Sequence, residues 1–239
     1  MKTGKKYGKI FQRYEKKYVI NEEQKTQLME RIGEYIEPDL FPHSEISNIY
    51  YDTDDNDLIR RSLDKPKYKE KLRLRTYGTA SLEGSSFIEI KKKYNGIVYK
   101  RRVMMPLQEA MAYLNEGKRP EKDGQILSEI DHFLAHHQPK PKLFLYYDRD
   151  SFKGKYDSEV RITFDTNIQS RREDLHLEKN LPGEKLLEDG LYVMEIKVPE
   201  AYPLWLSQAL SELHIYPTSF SKYGNVYRKE KGIELCLTV

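Results

Sequence analysis

Basic side chains hold every second position of Lys69-Glu70-Lys71-Leu72-Arg73-Leu74-Arg75, with Leu72 and Leu74 between them. A strand repeats its face every two residues, so in a strand Lys71, Arg73 and Arg75 share one face and the leucines occupy the other. The arrangement recurs along the chain. Arg13, Glu15 and Lys17 share a face of a first strand; Glu89, Lys91 and Lys93 stand opposite Ile88 and Ile90; Lys100 and Arg102 share a further face. Glu159, Arg161, Thr163 and Asp165 alternate with Val160, Ile162 and Phe164, and Glu195 and Lys197 with Met194, Ile196 and Val198. Strands with one apolar and one charged face can close into a barrel wrapped by helices, with a polar interior. Such an interior suits a polyanion.

A half-buried antiparallel sheet with its polar face in water produces the same alternation. Composition argues against it. A solvated face mixes Thr, Ser, Gln and acids, whereas Lys and Arg dominate here, and a carboxylate recurs two residues before a cation in Glu15/Lys17, Glu89/Lys91, Glu159/Arg161 and Glu195/Lys197.

The 239 residues suit one large domain, and 38% hydrophobic with 33% charged residues describe a folded, globular chain. Net charge is only +3, so basic character lies in local clusters, which argues against a general nucleic-acid coat. The single cysteine, Cys236, permits no internal disulfide and no cysteine-based zinc site, and reads as a small, partly buried apolar residue. No N-terminal apolar run follows Met1 and no stretch approaches membrane-spanning length, so a cytoplasmic protein without direct membrane insertion is expected.

Strands are expected over Phe11 to Ile20, Ile46 to Asp52, Tyr68 to Tyr77, Ser86 to Tyr94, Ile97 to Met104, Leu143 to Phe152, Glu159 to Asn167 and Leu191 to Val198. Asn95-Gly96 marks a hairpin turn. Asn21 caps a helix through about Ile36, with Glu22 and Glu23 at its positive end, and Pro38 and Pro42 end that segment. Further helices are expected over Asp54 to Leu63, after Pro106, over Gln125 to His137 and after Pro203, with a polar loop from Gln169 to Asp189.

A row of cations binds phosphate; chemistry on phosphoanhydrides usually adds a divalent ion held by carboxylate. Glu195 is the leading metal candidate, because Leu191 to Val198 is so apolar that an inward carboxylate needs a partner, either an ion or an interior Arg. Glu15, Glu89 and Glu159 read rather as structural ion pairs. Arg73, Arg75, Arg149 and Arg161 offer planar forks matched to phosphate oxygens. No Gly-rich loop ends in Gly-Lys-Ser/Thr, which disfavours a P-loop enzyme, and the six histidines lack metalloprotease spacing. Tyr50-Tyr51 and Tyr146-Tyr147 could stack a base, though Tyr in strands more often packs.

The ordered motifs resemble the VTC domain, the polyphosphate polymerase branch of the triphosphate tunnel metalloenzymes. They run from Arg13-Tyr14-Glu15-Lys16-Lys17-Tyr18 through Tyr50-Tyr51-Asp52-Thr53, Lys71 to Gly78, Phe87 to Lys93 and Lys100-Arg101-Arg102, then Tyr147-Asp148-Arg149, Val160 to Asp165, Met194-Glu195-Ile196-Lys197 and Ser221-Lys222-Tyr223. The resemblance implies an α+β fold: a closed antiparallel β-barrel of about eight strands with flanking helices, in one domain over residues 1–239. It further implies that Lys17, Arg73, Arg75, Lys91, Arg161 and Lys222 carry the reaction. Lys71, Lys100, Arg102, Arg149, Lys197 and Ser221 would bind substrate, and Glu195 would hold Mn²⁺ or Mg²⁺. Expected ligands are ATP and inorganic polyphosphate or pyrophosphate. The phosphate-sensing helical domain and membrane helices of eukaryotic members have no counterpart in the sequence, so regulation and translocation would fall to a separate membrane partner.

Three readings follow. The first is a metal-dependent polymerase passing the γ-phosphate of ATP to a growing polyphosphate chain. The second is a tripolyphosphate or nucleoside triphosphate hydrolase on the same tunnel, and the third a non-catalytic polyphosphate-binding module. The Glu-x-Glu-x-Lys opening of many tunnel hydrolases appears here as Arg13-Tyr14-Glu15-Lys16-Lys17, without its first carboxylate. Fewer carboxylates imply fewer metals, which fits polymerisation better than two-metal hydrolysis.

Overall fold

Alternation produces strands wherever one face finds an apolar partner, and in this protein nearly every strand does. A computed structural model describes residues 14–64, 66–95, 97–121, 124–179, 181–233 and 235. The strands are β1 (Tyr14–Asn21), β2 (Ile36–Asp52), β3 (Tyr68–Tyr77), β4 (Ser85–Tyr94), β5 (Ile97–Pro106), β6 (Lys140–Gly154), β7 (Arg161–Arg171), β8 (Glu184–Lys185) and β9 (Leu191–Val198). The helices are α1 (Glu22–Ile32), α2 (Asp57–Leu63), α3 (Leu107–Glu116), α4 (Gln125–His137), α5 (Leu204–Glu212) and α6 (Lys222–Glu230). Phe11 to Arg13, Gly96 and Cys236, which enter the sequence expectations, lie outside the described residues.

All strands join one antiparallel sheet in the order β1-β9-β7-β6-β2-β3-β4-β5, with β8 paired to β7. The expected closed barrel is therefore corrected: among the described residues the hydrogen-bonded ladder ends at β1 and β5. The sheet nevertheless curls. Glu15 on β1 reaches within 3.9 Å of Lys91 on β4, which a flat sheet would hold several strands away. Strand twist accumulates into that curvature.

The convex face carries two apolar clusters. Leu72, Leu74, Ile88 and Ile90 pack beneath α3 and α4 through Leu107, Ala110, Ile130 and Phe133. Ile162, Phe164, Met194, Ile196 and Val198 pack beneath α1 and α5 through Leu28, Ile32, Leu206 and Ala209. A third cluster, with Val19, Ile46, Leu145, Tyr147 and Val193, fills one end of the concave side against Phe220, Tyr223 and Val226. Full burial of each such side chain contributes about 1.5–3 kcal/mol, so the convex clusters fix which way the charged face turns.

Boundaries moved where tertiary pairing overrides local signals. Helix α1 stops at Ile32 and not Ile36; Ile36 pairs with Gly154 and opens β2. Pro38 and Pro42 fall inside β2, accommodated by a register shift between Pro38 and His43 that lets residues 39–42 bulge out. Glu159 and Val160 precede β7, whose first residue is Arg161. Helix α6 was not expected, because Lys-Tyr-Gly-Asn-Val-Tyr is poor in helix formers; Ser221 caps it by accepting from the Gly224 amide, and Tyr223 and Val226 bury its inner side. Asn21 caps α1 as expected, in a reciprocal capping box with Gln24.

Candidate functional site

Strand register decides which charged side chains meet. In the β3–β4–β5 ladders Arg73 stands beside Glu89 and Glu89 beside Arg102, while Lys71, Lys91 and Lys100 form the next row. Across the sheet Lys17 pairs with Glu195 and Glu195 with Thr163, and Lys197 lies between Glu15 and Arg161. Arg149 pairs with Asp165. Because partners in register share a face, these residues all line the concave side. Lys222 and Ser221 enter from the first turn of α6: Lys222 binds Asp165, and the Lys71 ammonium donates to Ser221 Oγ at 3.3 Å.

Three buried carboxylates organise the cations. Glu89, 2% exposed, accepts from Arg73 at 2.6 Å, meets Lys100 at 2.8 Å and lies 3.8 Å from Arg75. Asp165, 1% exposed, takes both arms of Arg149 at 2.6 and 2.8 Å as well as the Lys222 ammonium. Glu195, 9% exposed, sits between Lys17 at 3.5 Å and Lys197. Burial alone would raise all three acids, but the cations outweigh it and hold each below the usual carboxylate range.

Aromatic and amide oxygens set the arginine planes. Tyr50 Oη accepts from Arg73 at 3.0 Å, Tyr147 Oη from Arg75 at 3.0 Å, and Asn48 Oδ1 from Arg75 Nε at 2.9 Å. Burial pushes the Tyr50 phenol up, yet Arg73, Arg75 and Lys71 reverse this and bring it down to about 7. Desolvation draws Lys71 and Lys100 down to about 8, helped at Lys71 by Lys69, Lys17 and Lys91, and at Lys100 by Arg73. Lys17 moves the other way: desolvation is overcome by Glu195, Glu15 and Asp165.

Not every residue expected at the site is central. Arg161 lies at the rim, its side chain 51% exposed and 3.6 Å from Asp39. Arg102 stacks over Phe87, 4.9 Å from the ring centre. Glu159 precedes the strand and is not one of the three organising acids. Nothing in the sequence marks Asn48 or the bonding role of Asp165, and Tyr50 and Tyr147 read there as packing or base-stacking residues, not as acceptors for arginine. Only the position of Asp165, two residues beyond Thr163 on a charged face, hinted at its place.

Among the described residues no three His, Cys, Asp or Glu side chains converge into a ready cage. Glu195 is one carboxylate, and Thr163 Oγ1, on its register partner, is buried without a hydrogen bond. One carboxylate and a nearby free hydroxyl fit an ion that takes its remaining ligands from phosphate oxygens and water.

The family model for the VTC domain matches residues 12–230. The vacuolar transporter chaperone complex subunit 4 of Schizosaccharomyces pombe is 29% identical over 153 residues, 54% of this chain but 21% of that protein, so the chain corresponds to a small part of its relative. Among solved structures, a proposed adenylate cyclase from Bacillus halodurans aligns with TM-score 0.52 and 16% identity over 87% of this chain and 92% of that one. A proposed adenylyl cyclase from Hippeastrum, described as having a dominant triphosphatase activity, aligns with TM-score 0.54 and 14% identity over 95% and 99%. These structural likenesses concern the fold.

Proposed function

The chain belongs to the VTC domain family, and on that premise we propose that it is a metal-dependent polyphosphate polymerase using ATP. The observation that carries this reading is Glu195, a buried carboxylate between Lys17 and Lys197 on a face crowded with arginines. A triphosphate entering there would exchange the protein's own carboxylates for phosphate oxygens at Arg73, Arg75, Arg149 and Lys222. Arg161 at the rim would meet phosphates nearer the mouth. Glu195 would hold Mg²⁺ or Mn²⁺, which when bound supplies charge neutralisation at the phosphate oxygens.

The terminal oxygen of a polyphosphate chain would form a bond to the γ-phosphorus as the β–γ bridging bond breaks, so the chain gains one phosphate and ADP leaves. The nucleophile is already an anion and needs no base. The protein's work is then alignment and compensation of charge on the transferring group. Tyr50, Tyr147 and Asn48 would serve it by fixing the guanidinium planes before substrate arrives.

Incubation of the purified chain with ATP and Mn²⁺, with and without a short polyphosphate primer, tests the reading on a gel that separates phosphate chains. A ladder that lengthens with time and falls at least about 100-fold in Glu195→Gln is expected. Orthophosphate without a ladder would assign water as the acceptor, as the triphosphatase activity described for the Hippeastrum protein suggests for this fold. Polyphosphate binding without turnover would leave a binding module.

A further inference from the structure

One row of the convex face is polar. Thr76 on β3, Ser47 on β2, Tyr146 on β6 and Gln169 on β7 are successive register partners, and partners in register share a face. The next row, Leu74, Ile49 and Phe144, belongs to the core. Over the polar row lies a cavity of about 460 Å³, lined by no helical residue, whose far wall is Leu177, Glu178, Lys179, Leu181 and Pro182. Arg171 fixes that wall. Its guanidinium lies 3.5 Å from the centre of the Phe144 ring and donates to the carbonyls of Asp174, His176 and Leu181 at 2.8–3.0 Å.

The side-chain donors around the cavity are spent on one another. Gln169 Oε1 accepts from the Gly183 amide at 3.1 Å, Gln169 donates to Asn167 at 2.7 Å, and Asn167 and the Tyr146 hydroxyl both donate to Asp148. What remains is a set of acceptors. Ser47 lines the cavity, is only 9% exposed, and its hydroxyl has no hydrogen-bond partner among the described residues. Glu178 meets His176 Nδ1 through Oε1 at 3.1 Å, while its Oε2 is buried without a hydrogen bond. Glu45, also in the lining, has no ion-pair partner among the described residues. A buried polar group left unbonded costs about 1–3 kcal/mol, and more when charged. Nearby cations do not fill the need: His43 binds Asp150 at 3.1 Å, and Lys179 is exposed. Burial, the bond to Asp148 and the charges of Asp148 and Glu45 push the Tyr146 phenol up, as anionic surroundings should.

We propose that this cavity binds an aliphatic diamine or polyamine. Its ammonium groups would donate to Glu178 Oε2, Glu45 and the Ser47 hydroxyl, and its methylenes would lie against Leu177, Leu181 and Pro182. The volume is that of a small-molecule site. A bare divalent cation needs several oxygens converging on one point, and among the described residues no three acidic or histidine side chains do so. An amine instead carries its charges apart, on a stem that suits the apolar wall. The site is separate from the phosphate-binding face. Ser47 and Tyr146 precede Asn48 and Tyr147, whose side chains turn to the opposite face and hold Arg75. The proposal therefore holds whichever reaction the concave face performs.

Calorimetric titration of the full chain without phosphate, using 1,4-diaminobutane and spermidine, tests it, with neutral 1,4-butanediol and Ca²⁺ as comparisons. Both amines should bind and the diol and Ca²⁺ should not. Glu178→Gln should weaken the amines about tenfold and Ser47→Ala about threefold. Glu45→Gln, on an exposed residue that leaves folding intact, should weaken them as well. Glu195→Gln, on the concave face, should leave amine affinity within about twofold. Melting temperatures of the variants separate lost binding from lost folding. Absence of amine binding, equal binding of the diol or Ca²⁺, or a loss in Glu195→Gln matching that in Glu45→Gln would each overturn the site.

Discussion

Glu15 on β1 stands 3.9 Å from Lys91 on β4, bridging the two sides of a sheet whose hydrogen-bonded ladder runs between edge strands β1 and β5. The same carboxylate lies 3.8 Å from Lys17. A partly exposed pair of this kind contributes at most about 1 kcal/mol, so it guides curvature without being the main source of stability. Glu15→Gln should lower stability by less than about 1 kcal/mol in denaturant titration and accelerate amide exchange along β1 and β5. Unchanged exchange there would mean that the curl is set entirely by the convex clusters.

Tyr50→Phe removes the oxygen that accepts from Arg73 while keeping the ring that packs beside Tyr223. Hydrogen bonds involving a charged group contribute about 1.5–3 kcal/mol. Tripolyphosphate affinity should therefore drop about tenfold with little change in melting temperature. A large stability loss at unchanged affinity would reassign Tyr50 to packing.

Lys71 and Lys100, both near 8, and Tyr50, near 7, make anion binding depend on pH. Above those values the lysines lose positive charge and the phenol gains negative charge, so polyphosphate affinity should fall as pH rises from 7 to 9. Binding should then take up protons, visible as a calorimetric heat that varies with buffer ionisation enthalpy. The ligand-free fold responds oppositely at the lysines. Below about 8 they are protonated whether the chain is folded or unfolded, and their cost to the fold is fully present. Between there and the ordinary lysine value the unfolded chain holds more protons, so their contribution to stability rises with pH.

Asp165→Asn leaves Arg149 and Lys222 buried without their shared counter-ion. Removing one partner of such a set costs about 3–5 kcal/mol, and added tripolyphosphate should restore part of the lost melting temperature by supplying anionic oxygens. A variant as stable as the wild type would show that the cations reach water unaided. The depressed carboxyls of Asp165 and Glu89 give the wild type a matching acid profile. Their stabilisation is present above the unfolded carboxylate value of about 4 and is lost as pH falls through their lower folded values.

The alternation in Lys71 to Arg75, Phe87 to Lys93 and Met194 to Lys197 determined that these strands have one apolar and one charged face, since side-chain direction in a strand follows from local covalent geometry. Motif order along the chain was likewise legible, and it identified the family. Tertiary structure decided what local pattern does not encode. Register placed Glu195 beside Lys17 and Glu89 beside Arg73; twist brought Glu15 to Lys91 while leaving the ladder open; burial against α2 and the sheet made a helix of Lys222–Glu230 despite weak propensity. It also decided that Asp165 binds Arg149, and that Tyr50 and Tyr147 bond to arginines as well as pack. Those outcomes depend on contacts between residues far apart in the chain, whose energies exceed any local preference and are settled only when the whole sheet assembles.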